Sequence, residues 1–485
     1  MDATLFLSVF GLYVLSMIGL SIWISRSQDS GEDFLLGNRS VPLFLILGTT
    51  VATMVGTGSS MGAVGRAYTK GWEGAMYGIG GALGILLLAK LFSNVRNYNF
   101  MTFSEELSFY YGSNKIIKNV TALLIFIASV GWLGAHIMGG GKYLAWIAGI
   151  DPLYAKIFIA SAFGIYVIIG GYMSVVWTDT IQALILFFGF IVMAVMAVHK
   201  IGGLEGVDQA MNSDHLAFLG PDRLLPSLSM AFVIFVGVMA TPSYRQRIYS
   251  SDKVSTVKKS FYISGTLYLF FSFIPALIGI SARTLNPNLA DIDFAFPFLV
   301  VEVLPVGLGL IVLIAGLSAT MSSASSDAIA GVSILMRDIY LLFTGKMPNR
   351  EKAVSFSRWG LTGITGAALC FTLTANNIID YINNMISIVM SGMFVATILG
   401  KYWKRATWQG GLAALVGGAL FSITFMWMPS WKAYWGNSSI PSVFFATLSC
   451  ILVSYLTPPN TIDDETALNI LEQERNALES KDHHL

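Results

Sequence analysis

About thirteen stretches of this 485-residue chain are apolar over the roughly 20 residues that span a bilayer's hydrocarbon core. They fall near 3–24, 42–66, 71–93, 118–148, 153–171, 174–200, 224–244, 260–282, 300–342, 354–375, 378–400, 409–428 and 440–458. Nothing in the chain restricts its fold more. In hydrocarbon every backbone N–H and C=O must be bonded within the protein, so stretches of this kind become packed helices. Several run longer than one crossing needs, which predicts tilt, breaks or extensions beyond the bilayer. Charged residues make up 12% of the chain and hydrophobic ones 55%. So little charge does not cover a soluble globule of this size, which excludes a soluble enzyme and a disordered protein alike. The expectation is an all-α polytopic membrane protein with one transmembrane domain over 1–459 and a polar tail over 460–485. The connections near 94–117 and 201–223 are only loop-sized.

A net charge of +1 points to no nucleic-acid or acidic partner, and nothing indicates an obligatory protein partner. Cys370 and Cys450 both sit in apolar runs and read as small packing residues. The first stretch lacks a basic n-region and is followed, not preceded, by Arg26, so it reads as a span rather than a signal peptide. That order places the amino terminus outside. Alternating from there puts roughly 21 of the 29 Lys and Arg on the cytoplasmic side, the bias expected for an odd number of spans. The richest inside clusters are Arg245/Arg247/Lys253/Lys258/Lys259, Arg337/Lys346/Arg350/Lys352 and Lys401/Lys404/Arg405. The carboxy-terminal tail, helical and polar, reads as a solvated cytoplasmic end. A plasma membrane or bacterial inner membrane suits this pattern.

Polar groups inside a bilayer are costly and mark function. The second stretch carries Thr49, Thr50, Thr53, Gly56, Thr57, Gly58, Ser59 and Ser60 at its middle. Such a run fits either a discontinuous helix whose freed carbonyls coordinate a cation, or close helix packing through small residues. The ninth carries Ser318, Thr320, Ser322, Ser323, Ser325, Ser326 and Asp327, with Ala319, Ser322, Ser323 and Ser326 on one helical face. Hydroxyls on one helix facing carbonyls freed in another would cage a hard monovalent cation without much negative charge. Serines back-bonded to their own helix would explain some of these residues, not their density. In the sixth stretch Asp179 lies one turn from Gln182 and reads either as a helix cap or as an intramembrane carboxylate for a cation or a proton. His136, midway along the fourth, reads as an interhelical hydrogen bond or a solute contact. There is no P-loop pattern, no cluster with metal-ligand spacing, and no nucleophile or paired-acid arrangement. No organic cofactor and no enzyme activity are therefore expected.

Several segments together resemble the sodium solute symporter family over nearly the whole chain. They are Asp33 to Ser40, Gly170-Gly171-Tyr172 with Trp177 to Gln182, Gln246-Arg247, Ala319 to Ser323 running on to Arg337-Asp338-Ile339-Tyr340, and Trp403 to Thr407. The resemblance implies a LeuT-type fold: one extra amino-terminal helix, two inverted five-helix repeats over 42–200 and 224–400, and two trailing helices. It implies a sodium site on backbone oxygens of Ala52, Val55 and Ala319 and hydroxyls of Ser322 and Ser323. A second sodium would fall on Asp179, Ser322, Ser325 and Ser326. Asp327 departs from the uncharged residue expected at its position. Pocket positions map to Thr53, Met54, Thr57, Gly78, Trp132, His136, Thr241 and Ser243. Met54 and Thr241 stand where the choline-transporting branch carries cage tryptophans, which disfavours choline.

These readings converge on a sodium-coupled symporter importing a small polar organic solute by alternating access. One rival is a proton-coupled carrier titrating Asp179, Asp327 or His136. The other is a membrane sensor or channel, which would carry a signalling domain or charged pore rings.

Overall fold

A computed structural model describes residues 2–26, 30–211, 224–346, 352–374 and 378–482. Residues 212–223, Arg350 and the tail's last residues 483–485, which the sequence reading covered, lie outside the described residues. Among the described residues the chain is helical apart from one isolated bridge between Val41 and Ser251. Its main helices are α1 (Ala3–Ser25), α2 (Leu43–Met54), α3 (Ala63–Lys70), α4 (Ala75–Phe92), α5 (Phe103–Phe109), α6 (Lys115–Ala148) and α7 (Pro152–Lys200). There follow α8 (Leu224–Ala240), α9 (Pro242–Ser250), α10 (Val254–Phe271), α11 (Phe273–Leu285), α12 (Val306–Ile334) and α13 (Ala353–Phe371). The series ends with α14 (Ser391–Tyr402), α15 (Trp408–Phe425), α16 (Ser439–Leu456) and α17 (Asp464–Asp482).

Nine helical segments among the described residues are long and apolar enough to cross a membrane, and a tenth counts if α8 and α9, bent by 43°, form one span. The thirteen apolar stretches form fewer continuous segments because several helices follow one another with no intervening loop. Stretches 153–171 and 174–200 are the two helical halves of α7, which meet at a kink at Gly171 (φ 54°, ψ −153°). The kink frees carbonyls, and Arg358 of α13 donates to those of Ile168 and Ile169 at 3.0 and 3.2 Å. Arg358 thus lowers the hydropathy of α13 while serving α7. Only glycine tolerates the Gly171 conformation, and an added Cβ would lie 2.7 Å from the Phe34 carbonyl oxygen. Gly171→Ala is expected to cost roughly 3 kcal/mol, read as a lower midpoint of thermal or SDS unfolding; an unchanged midpoint would contradict the kink.

Two breaks position the centre of the bundle. The helix of the second apolar stretch stops after 12 residues at Met54, and Val55 takes up non-helical angles (φ −93°, ψ 60°). Hydroxyls downstream cover part of the opened backbone: Ser59 donates to the Met54 carbonyl at 2.7 Å and Ser60 to that of Gly56 at 2.6 Å. This decides for a discontinuous helix over uninterrupted close packing. The second break separates α8 from α9 at Thr241-Pro242, where proline supplies no N–H to continue the ladder. Sequence periodicity did not signal it. The α12 helix packs against both α7 and α6 and crosses α2 at the first break. The trailing helices α15 and α16 pack on each other and on α14.

The basic residues of α9, read from the sequence as part of a cytoplasmic-side cluster, are buried: Arg245 is 0% and Arg247 1% exposed. Arg245 donates to Glu106 of α5 at 2.9 Å and lies 3.8 and 4.8 Å from the ring centroids of Phe92 and Phe103. Nor is the tail freely solvated. Ala467 and Leu471 of α17 are buried, Arg475 pairs with Glu105 at 2.8 Å, and Glu474 pairs with Lys118 at 3.1 Å. Burial pushes the Glu105 carboxyl up, but Arg475 and Lys118 outweigh it and hold the group below the usual carboxylate range.

Candidate ion and solute site

The serine face of α12 meets the break after α2. Ser322 Oγ lies 3.2 Å from the Ala52 carbonyl oxygen and 3.3 Å from that of Ala319. Ser323 Oγ lies 3.1 Å from the Thr53 carbonyl oxygen. Ala52, Val55, Ala319, Ser322 and Ser323 are all buried, and Val55 marks the point where the helix fails. Why the chain folds this way locally is plain. Ser322 and Ser323 sit on the α12 face turned to α2, and the α2 carbonyls have lost their helical donors. The result is a buried cluster of neutral oxygens, the donor set a hard cation such as sodium prefers.

One turn along α12 the oxygens gather round a charge. Asp179 of α7 accepts from Thr49 at 2.6 Å, Ser326 at 2.8 Å and Ser325 at 3.3 Å. Asp179 lies well inside α7, so it is not a helix cap. Arg247 Nη2 enters the same cluster, 2.7 Å from both Thr49 Oγ1 and Ser326 Oγ and 3.5 Å from Asp179 Oδ2. It also donates to Thr53 Oγ1. Of the four positions expected for a second ion, Asp179, Ser325 and Ser326 are thus together with a guanidinium among them, while the Ser322 hydroxyl turns to the Ala52 and Ala319 carbonyls. Gln182 does not join them; it donates to the Tyr13 hydroxyl at 2.7 Å.

Beside the break lies a cavity of about 40 Å³, room for a few water molecules. Of the expected pocket residues, Thr53, Met54, Trp132, His136, Thr241 and Ser243 line it. Thr57 stands one shell back, its hydroxyl 3.0 Å from His136 Nδ1. Gly78 is a correction: a Cβ there would meet Ser272 at 2.4 Å, so it permits close helix packing and does not face the cavity. Its neighbour Tyr77 faces the cavity instead, together with Tyr244, Tyr268 and Asp327, none of which the sequence reading placed there. A one-residue step on a helix turns a side chain by about 100°, enough to account for the Gly78/Tyr77 exchange. His136 Nε2 lies 3.2 Å from Asp327 Oδ2, and the Trp132 ring stacks on the imidazole at 6.2 Å between centroids. His136 thus makes interhelical contacts and also lines the cavity.

The chain has known relatives. The profile of the sodium:solute symporter family matches residues 34–418. The chain is 27% identical over 465 residues to the sodium/pantothenate symporter of Haemophilus influenzae, covering 91% of this chain and 94% of that protein. It is 26% identical over 474 residues to the sodium/glucose cotransporter of Vibrio parahaemolyticus, covering 87% of this chain and 85% of that one. In fold it is similar to a sodium-coupled sialic acid symporter in a substrate-bound outward-open state, with a TM-score of 0.79 at 19% identity over 94% of this chain and 98% of that one. A nucleobase-cation-symport-1 family transporter in a closed conformation gives a TM-score of 0.62 at 12% identity, covering 90% of this chain and 98% of that one. With a family match spanning 34–418 and helices that cross a membrane many times, this chain is a multi-pass transporter belonging to the sodium:solute symporter family.

Proposed function

We propose that the protein imports a small polar organic solute together with sodium, by alternating access about the break after α2. The observation that carries this reading is the pairing of Ser322 and Ser323 hydroxyls with the Ala52 and Thr53 carbonyls. A sodium ion held by Ala52, Val55, Ala319, Ser322 and Ser323 ties α12 to α2 and stabilises the outward-open state. That pre-forms the cavity lined by Thr53, Met54, Trp132, His136, Thr241 and Ser243. Coupling follows if ion and solute both favour the same conformational step, since a ligand shifts an equilibrium only by its differential affinity for the two states.

The cycle moves one sodium on this reading. Asp179, Ser325 and Ser326 would suit a second, but the Arg247 guanidinium supplies the positive charge there. Thirteen crossings follow if α7 counts as two spans divided at Gly171, and if α2 with α3 and α13 each count as one. The domain boundaries are then 1–459, with repeats over 42–200 and 224–400. The amino terminus lies outside and α17 in the cytoplasm, at a plasma or bacterial inner membrane.

The test is the thermal stability of the purified protein in sodium against potassium at equal ionic strength. Sodium at about 100 times its dissociation constant adds roughly 2.7 kcal/mol to the folded state, a rise of several degrees. Equal stability in the two salts would overturn the reading.

A further inference from the structure

The cavity has a charge that its sodium clamp does not use. Asp327, 3% exposed, is the one carboxylate among the residues lining it, and neither lysine nor arginine lines it. The nearby guanidinium of Arg247 is engaged by Asp179, Ser326 and Thr49. Asp327 is paired with His136 Nε2 at 3.2 Å, and His136 Nδ1 is paired with the Thr57 hydroxyl at 3.0 Å. His136 thus meets one of the two Asp327 oxygens and leaves most of the carboxylate's lone pairs free. A carboxylate at membrane depth with lone pairs free is costly unless donors reach it.

The walls fit the same partner. Tyr77, Tyr244, Tyr268 and Trp132 offer aromatic faces and edges around the cavity. An organic ammonium is attracted to such faces, while a carboxylate is repelled by them and by Asp327. Trp132 and Ser243 also line the cavity, and Trp132 Nε1 and Ser243 Oγ are buried without a hydrogen-bond partner within the described residues. The indole N–H can only donate, so it calls for an acceptor on whatever fills the space.

We propose that the solute is a small organic cation bearing N–H groups, its nitrogen held by Asp327 and an oxygen acceptor by Trp132 Nε1. The proposal rests on the symporter reading and narrows it to a chemical class. A primary or secondary ammonium satisfies it, because Asp327 needs hydrogen-bond donors as well as charge. A carboxylate-bearing solute finds no counter-charge. A neutral polyol would fill hydrogen bonds but leave the charge on Asp327 unmatched.

The experiment uses the full chain in detergent and a small-molecule filtrate of complex growth medium, split by ion exchange at neutral pH into cationic, neutral and anionic fractions. Each is added in sodium and in potassium, and thermal stability is read. The cationic fraction is expected to raise the melting temperature in sodium above sodium alone, and the other two to leave it unchanged. In Asp327→Asn the sodium rise persists while the response to the cationic fraction weakens about 100-fold in concentration. In Trp132→Phe, which deletes the donor and keeps the ring, it weakens about tenfold. Stabilisation by the neutral or anionic fraction instead, or by no fraction, overturns the assignment while leaving the symporter reading intact. Loss of the sodium rise itself in Asp327→Asn also overturns it, because the carboxylate would then serve the ion. No sodium response in the unaltered protein would bring down the symporter reading, and this proposal with it.

Discussion

Replacing Ser322 and Ser323 together by alanine is expected to abolish the sodium-specific rise in thermal stability and to cut sodium-driven uptake by about 100-fold or more. The two hydroxyls face the Ala52 and Thr53 carbonyls at 3.2 and 3.1 Å, in a region where every neighbouring residue is buried. Removing both takes away two oxygens of a small neutral donor set among buried residues. The same change also deletes two buried hydrogen bonds across the break, worth about 1–3 kcal/mol together. The variant should therefore melt lower than the parent even in potassium. The informative quantity is the difference between the two salts within each protein, which separates ion binding from the loss of bracing. A Ser325→Ala control, one turn along and bonded to the Ser322 carbonyl and to Asp179, should keep most of that difference. A double variant that still melts higher in sodium would sink the proposed site.

The second large effect is expected at the buried pair Arg245–Glu106. Both side chains are fully buried, with 2.9 Å between Nη1 and Oε1. Glu106 also accepts from the Tyr110 hydroxyl at 2.8 Å and from that of Tyr249. The guanidinium is held between the Phe92 and Phe103 rings and reaches only one further acceptor, the Met239 carbonyl at 3.2 Å. Glu106→Ala leaves that cation buried without a counter-charge, which typically costs about 3–5 kcal/mol. It should show as a sharp loss of folded protein in detergent, with the weakening centred on α9 and α5. The partner substitution gives the cross-check. Pairing Glu106→Leu with Arg245→Met removes both charges and should recover most of the stability, since an apolar pair of similar volume often replaces a buried ion pair without loss. If the single variant costs under about 1 kcal/mol, the pair is not dry and the buried placement of Arg245 is wrong.

Both experiments bear on features of different legibility. The serine density of α12 was readable because hydroxyls are so rarely concentrated in an apolar span. The break after Met54 was legible only as one of two alternatives, since the same glycine and hydroxyl residues suit close packing; the structure shows them supplying donors for the freed carbonyls. Membrane spans and all-helical architecture were legible for a stronger reason: hydrocarbon admits no unpaired backbone, so composition and period leave one class of solution. Their number was less so. The kink at Gly171 joins two apolar stretches end to end without a loop, and the break at Thr241-Pro242 bends another by 43°. Both are decided by the packing of Phe34 and by proline's missing N–H, not by hydropathy.

By itself, then, the sequence determined that the chain is a helical membrane bundle, which helices carry the oxygens, and that α12 offers them on one face. Periodicity along one helix is a local property, and these are local facts. Only the tertiary structure decided what faces what. Arg245 and Arg247 read as part of a cytoplasmic-side basic cluster, because nothing local says that cations three and five residues past a proline turn into the protein toward Glu106 and Asp179. Asp327 and His136 are 191 positions apart, yet lie 3.2 Å apart across α12 and α6. Tyr77, not Gly78, faces the cavity because helix rotation is set by packing against Ser272. Charge compensation inside a membrane is a pairwise matter between distant residues, and pairing of that kind exists only once the helices have met.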